Sequence, residues 1–196
     1  MPRQDSQDAF SRAYKENYAR VLAYFKRRAS WQFAEDLAAE TFIRAWRGWS
    51  KAPSAVTNTK DPGNKALPWL YGIARNVLLE HYRANDRDTQ LQTALMDNVA
   101  EQSRLAVAEQ NSDMATAADA AMDLHQALGT LSPSDQELLL LHAWEGLSAK
   151  EIASTLGIRP GTARVKLHRA RRRLDDELRS PTRQTRTNRQ GKPTNE

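Results

Sequence analysis

Between Arg159 and Arg173 the chain carries seven basic residues, Arg159, Arg164, Lys166, Arg169, Arg171, Arg172 and Arg173, and no acid interrupts them. The chemistry open to such a run is electrostatic. Guanidinium and ammonium groups neutralise phosphates, and a guanidinium fork can also bond the O6 and N7 of a guanine edge. A solvated helix face would look the same, because most charge runs are only that. The preceding residues favour nucleic acid. Gly157-Ile158-Arg159 is a three-residue turn between two short helical segments, the connection a helix-turn-helix needs. The run therefore reads as the second helix of such a unit, shaped to enter a DNA major groove.

Other chemistries find little support. With no cysteine in the chain, disulfides and thiol catalysis are excluded. His81, His125, His142 and His168 have no ligand-like spacing, so neither metal nor cofactor is expected. No paired-acid, nucleophile or phosphate-loop motif is present, and the chain does not read as an enzyme. The N-terminal MPRQDSQDAF lacks the apolar stretch of a signal peptide. No apolar run reaches the ~20 residues of a membrane span. A soluble, cytoplasmic protein with no membrane insertion is expected.

The basic helix must be positioned by its neighbours, and local grammar supplies them. Ser132 can cap a helix, with Pro133 first inside it and Asp135 three residues after the cap. Leu138, Leu141, His142 and Glu145 continue this helix and Gly146 closes it. Ser148 starts the next, with Glu151 in capping-box position, and Gly157 ends it. Pro160 opens the basic helix, in which Ala163, Leu167, Ala170 and Leu174 recur at spacings of four, three and four, so one stripe faces a core.

Elsewhere the pattern is also helical, with no convincing strand alternation. Phe10, Tyr14, Tyr18, Val21, Leu22 and Phe25 predict one amphipathic helix, and a second runs from about Phe33 to Trp49. A third, from Leu67 to Ala84, buries Leu70, Ile73, Ala74, Val77 and Leu78. A long loop, 50–66, separates the last two. The fold expected is all-α, with two small helical domains at 8–84 and 126–178 and a flexible acidic linker at 85–125. The basic tail, 179–196, is expected to be disordered. The charge is uneven within a net +5, which suggests basic working surfaces joined by an acidic spacer.

Two separated segments carry a family resemblance. Ala34-Glu-Asp-Leu-Ala-Ala-Glu-Thr-Phe-Ile-Arg-Ala-Trp-Arg47 with Pro68-Trp-Leu-Tyr-Gly-Ile-Ala-Arg-Asn-Val-Leu-Leu-Glu-His-Tyr-Arg83 resembles region 2 of the extracytoplasmic-function sigma factors. Leu131–Leu178 resembles their region 4. Both in order, with a linker between, are far more specific than either alone.

The resemblance implies a sigma factor that directs core RNA polymerase to promoters by −35 duplex recognition and −10 strand opening. It implies docking of Asp36, Leu37, Glu40, Thr41 and Arg44 on the polymerase β′ clamp helices, with the β flap as a further contact. It places Trp69, Tyr71, Arg75, Asn76, Glu80 and Arg83 at the −10 element. There Asn76 and Glu80 would hydrogen-bond an unstacked base, Trp69 and Tyr71 are the aromatic candidates, and Arg75 and Arg83 would pair with phosphates. At the −35 element it places Arg164, Val165, Lys166, His168, Arg169, Arg171, Arg172 and Arg173. Arg164 suits a base edge, and Arg171 to Arg173 suit the backbone. Anti-sigma partners are common in the family. Two departures stand out: Ala39, where a glutamine is frequent, and Glu80, where Asp is commoner. The alternative is a one-component helix-turn-helix regulator that binds an operator without polymerase.

Overall fold

A computed structural model describes residues 4–57, 63–84 and 114–179, and these are helical with no strand among them. The N-terminal unit contains α1 (Gln4–Lys26), α2 (Trp31–Arg47), the short α3 (Ser54–Thr57) and α4 (Leu67–Ala84). The C-terminal unit contains α5 (Met114–Gly129), α6 (Pro133–Ala143), α7 (Ala149–Leu156) and α8 (Pro160–Leu178).

In the N-terminal unit α1, α2 and α4 pack together around Val21, Phe25, Ala38, Ala45, Leu70 and Ala74, all of them buried. The line on α1 that goes deepest differs from the aromatic stripe. It runs through Ala9, Ala13, Asn17, Val21 and Phe25, while Phe10, Tyr18 and Leu22 pack at its margin and Tyr14 is exposed. Two small residues let the helices approach closely. The buried Asn17 side-chain nitrogen donates to the Ala13 carbonyl at 2.8 Å, which gives that N–H a partner inside the core.

The 50–66 segment is partly structured. A 3-10 turn at Trp49–Lys51, then α3, then a second 3-10 turn at Gly63–Ala66 fold it against the bundle, with Trp49, Ala52, Val56 and Ala66 as buried anchors. Residues 58–62 lie outside the described residues.

The C-terminal unit follows its capping signals. The Ser132 hydroxyl accepts from the Asp135 N–H at 3.2 Å, and Ser148 and Glu151 form a complete capping box. Each cap stabilises its helix by about 1 kcal/mol. Gly157 adopts φ 65°, which lets the chain leave α7 and enter α8 within three residues. Ala163, Leu167 and Ala170 of α8 are buried against Leu138 of α6 and Ile152 of α7. α5 begins at Met114 and packs on α8 with Ala121, Ala127 and Leu128 buried. The C-terminal unit therefore includes residues that composition placed in the acidic spacer. The remainder of that spacer, 85–113, and the tail beyond Arg179 lie outside the described residues.

The two units are docked. α4 crosses α7 so closely that a Cβ at Gly72 would lie 3.1 Å from the Thr155 carbonyl oxygen, and the Thr155 hydroxyl donates to the Pro68 carbonyl at 3.0 Å.

Candidate nucleic-acid and polymerase interfaces

α8 presents the basic surface. Its first turn is set by Pro160, and its apolar stripe turns inward, so the opposite side must face outward. Arg164, Val165, Lys166, His168, Arg169 and Arg172 are all exposed, and Val165 is 49% accessible although apolar. An uncovered valine between Arg164 and Lys166 offers a surface for a thymine methyl, and the arginines of this face offer forks for guanine edges. Two members of the basic run are engaged internally. Arg173 pairs with Asp135 of α6, and Arg171 contacts His142 Nε2. The His142 Nδ1–H donates to the Leu147 carbonyl at 2.8 Å, which leaves Nε2 as the acceptor for Arg171.

On α2, Asp36, Glu40 and Arg44 form an outward ridge, with the exposed Ile43 beside it. Leu37 and Thr41 are not part of that ridge, which corrects the expectation that they contact a partner. Both are buried, and the Thr41 hydroxyl donates to the Leu37 carbonyl at 2.8 Å. They fall on the Ala34–Leu37–Thr41–Ala45 line that faces the core. The ridge continues onto α4. Arg44 pairs with Glu40 at 2.7 Å and with Glu80 at 2.7 Å. The Glu40 and then the Glu80 carboxylates raise the Arg44 pKa above its ordinary value.

α4 divides into two faces. Asn76, Glu80 and Arg83 are exposed, with Asn76 and Glu80 one turn apart. Tyr71, Arg75 and Gly72 turn toward the C-terminal unit. Tyr71 is only 1% exposed, which corrects its placement as a surface aromatic; it stacks near Tyr24, with ring centroids 5.3 Å apart. Burial, then the nearby Glu145 carboxylate, pushes its phenol well above the ordinary value. Tyr24 itself is pushed up to about 12 by burial, so both phenols stay neutral near neutral pH. Arg75 is gripped by both oxygens of Glu137, at 2.5 and 3.2 Å. As placed it is a partner of α6 and not a free phosphate ligand. Trp69 is half-buried against Trp49, with ring centroids 5.8 Å apart.

The largest group of residues that sequence reasoning missed lies between the units. Glu145, just past the end of α6, is buried and bonded to Arg27 and to Arg28 at 2.6 Å each, and Arg20 donates to its backbone carbonyl at 3.1 Å. Arg28 also lies 3.9 Å from the Tyr24 ring centroid and 5.4 Å from that of Trp144, a favourable place for a desolvated cation. One local signal existed. An acid at the C-terminal end of a helix opposes the helix dipole, so Glu145 needed a partner from elsewhere. Among the described residues no group of three or more His, Asp or Glu is arranged to hold a metal, and no helix is long and apolar enough to cross a membrane.

Comparison with known proteins matches both units. The family model for sigma-70 region 2 matches residues 13–88, and that for sigma-70 region 4 matches residues 121–174. RNA polymerase sigma factor CarQ of Myxococcus xanthus is 30% identical over 186 residues, covering 90% of this chain and 92% of CarQ. ECF RNA polymerase sigma factor SigD of Mycobacterium tuberculosis (strain H37Rv) is 32% identical over 125 residues, 64% of this chain, and the match spans only 57% of SigD. A chain of the solved RsbN–BldN complex aligns with 85% of this chain and 88% of its own length, at 26% identity and a TM-score of 0.27. Two matched regions in the family's order, and near full-length coverage by one relative, lead to one assignment: the chain belongs to the extracytoplasmic-function family of RNA polymerase sigma factors.

Proposed function

We propose that the chain acts as a promoter-directing subunit of RNA polymerase. It would dock on core enzyme through the Asp36–Glu40–Arg44 ridge, read −35 duplex DNA with α8, and open −10 DNA with α4. The observation that carries this reading is the uncovered face of α8, where Arg164, Val165, Lys166, His168, Arg169 and Arg172 stand together on a helix-turn-helix. Arg164 and Val165 are assigned to base edges, and Arg172 to the phosphate backbone. On α4, Asn76 and Glu80 are assigned to an unstacked base and Arg83 to a phosphate, with Trp69, packed on Trp49, as the aromatic candidate beside them; Tyr71 and Arg75 could join only after the C-terminal unit moves aside. Strand opening requires binding energy and no chemical step from this chain; phosphodiester synthesis belongs to the polymerase, which acts in the cytoplasm. An operator-binding regulator independent of polymerase fits the family less well, because the α2 ridge would have no role.

The test is run-off transcription with purified core enzyme on a pool of genomic promoter fragments. Defined transcripts are expected only when the chain and core enzyme are both present. Tight, selective fragment binding by the chain alone, with no transcripts on adding core enzyme, would replace this reading with the regulator.

A further inference from the structure

Arg44 stands between two surfaces assigned to different partners. Its Nε donates to Glu40 Oε1 on α2 at 2.7 Å, and its Nη1 pairs with Glu80 Oε2 on α4, also at 2.7 Å. Two donors of one planar guanidinium are used, so the group is fixed in orientation as well as in place. Exposed ion pairs add little stability, and the Glu80 side chain is 54% exposed. What the bridge supplies is geometry. It holds Oε2 of Glu80 toward α2, and Oε1 is the oxygen that Arg44 does not hold.

Asn76 lies one turn before Glu80 and is exposed, so the two side chains are neighbours on the outer face of α4. An unstacked base is read along its Watson–Crick edge. A carboxylate oxygen only accepts, whereas an amide both donates and accepts. One such oxygen beside one amide fits an edge with an exocyclic amino group next to a ring-nitrogen acceptor. Adenine and cytosine have that edge. Their amino group donates to Glu80 Oε1, and their ring nitrogen accepts from the Asn76 amide. Guanine instead presents two adjacent donors, which call for both oxygens of a carboxylate at once. Arg44 already has one of them. Thymine flanks its single donor with carbonyl oxygens on both sides, and one of these must face the carboxylate.

We propose that Arg44 is a positioning residue for base choice: by holding Oε2 of Glu80 it fits the Asn76–Glu80 pair to an unstacked adenine or cytosine and excludes guanine. The inference rests on the assignment of Asn76 and Glu80 to an unstacked base, and it names the class of that base. The effect is geometric and not one of charge on the base-facing side. Without Arg44 the Glu80 carboxylate offers two oxygens, so guanine gains a fork, while adenine and cytosine still use one.

The test uses the full chain with core polymerase and fork-junction DNAs whose single-stranded −10 positions carry A, C, G or T in turn. Affinities are compared as ratios between bases on one protein, so any change in core binding at Arg44 cancels. In the parent, one position should favour adenine or cytosine over guanine by about tenfold or more, the scale of one base-edge pair. Arg44→Ala should bring guanine level with them at that position and leave the other positions alone. Glu80→Gln should alter the ratios at the same position. Adding Arg44→Ala to Glu80→Gln should then shift guanine no further, because an amide has no second acceptor to release. Both side chains are a third or more exposed, so helical circular dichroism should be unchanged in every variant. A merely structural role for Arg44 would weaken all four bases alike. That result, an unchanged guanine ratio at a position that Glu80→Gln does alter, overturns the proposal and leaves the base-facing assignment standing. A parent that favours guanine at that position overturns it as well. No response to Glu80→Gln at any position overturns both the proposal and the assignment.

Discussion

Helices α4 and α8 are both assigned to promoter DNA, yet they stand very differently in the free chain. The outer face of α8 is open, and among the described residues Arg171 and Arg173 are drawn into contacts with α6. On α4, Arg75 is held by Glu137, Glu80 by Arg44, and Tyr71 is enclosed. The two proposed tasks would account for the difference. Duplex DNA presents its phosphates and groove edges without prior change, so its reader can be rigid and exposed. An unstacked base exists only after a duplex has been opened, so the surface that receives it has no ligand until late. Polar groups on such a surface are satisfied meanwhile by the protein itself.

That contrast can be broken most directly on α4. Asn76→Ala combined with Glu80→Ala should leave folding intact, because both residues are exposed. Run-off yield on duplex promoters should fall by roughly ten- to a hundredfold, matching an unpairing cost of a few kcal/mol, and recover in part on templates already melted at −10. Permanganate reactivity of −10 thymines measures the opening itself. Normal reactivity on duplex DNA in the double variant would move base capture to another surface.

On α8, Arg164→Ala should cost roughly 1–3 kcal/mol of promoter affinity and relax preference at one base position. Binding to a library randomised across the −35 element checks this. An unchanged preference would place Arg164 among the backbone contacts.

A smaller and more even effect is expected from Arg172→Ala, which should weaken all promoters alike and lower the salt slope by roughly one. Arg173→Ala should change the slope less, since its guanidinium already has Asp135 as a partner. Equal slopes for the two variants would mean that the Asp135 pair gives way when DNA arrives.

The smallest effect concerns the bridge between α2 and α4. Arg44→Ala removes the links to both Glu40 and Glu80. These groups are a third or more exposed, so the loss of stability should stay under about 1 kcal/mol, measured as a small shift in the urea midpoint. A larger loss would show that the ridge is part of the packing of the two helices.

Much of this architecture was legible beforehand. The limits of α4 were read from its apolar period, and the α6–α7–α8 unit from Ser132, Ser148, Gly157 and Pro160, because caps and turns are decided by neighbouring residues. The same period held two warnings. Tyr71 lies one and three residues from Leu70 and Ala74, and Leu37 and Thr41 share a line with Ala45; all three proved to be buried. Family roles had placed them on the surface, while helix geometry placed them inside. The docking of the two units was not legible. Its partners are drawn from α1, α4, α6 and α7, and pairs such as Arg28 with Glu145 leave no local pattern. The composition of the acidic segment also hid the start of α5, whose alanines read equally well as spacer or as the small contacts of a close helix pairing.

The open face of α8 has a kinetic side. Phosphate contacts need no particular sequence and form at near diffusion-limited rates. Under the proposed assignment, a chain that displays Arg164, Lys166, Arg169 and Arg172 would adhere to any stretch of duplex before meeting polymerase. Its search would proceed by sliding and hopping along DNA, and its residence there would be governed by salt.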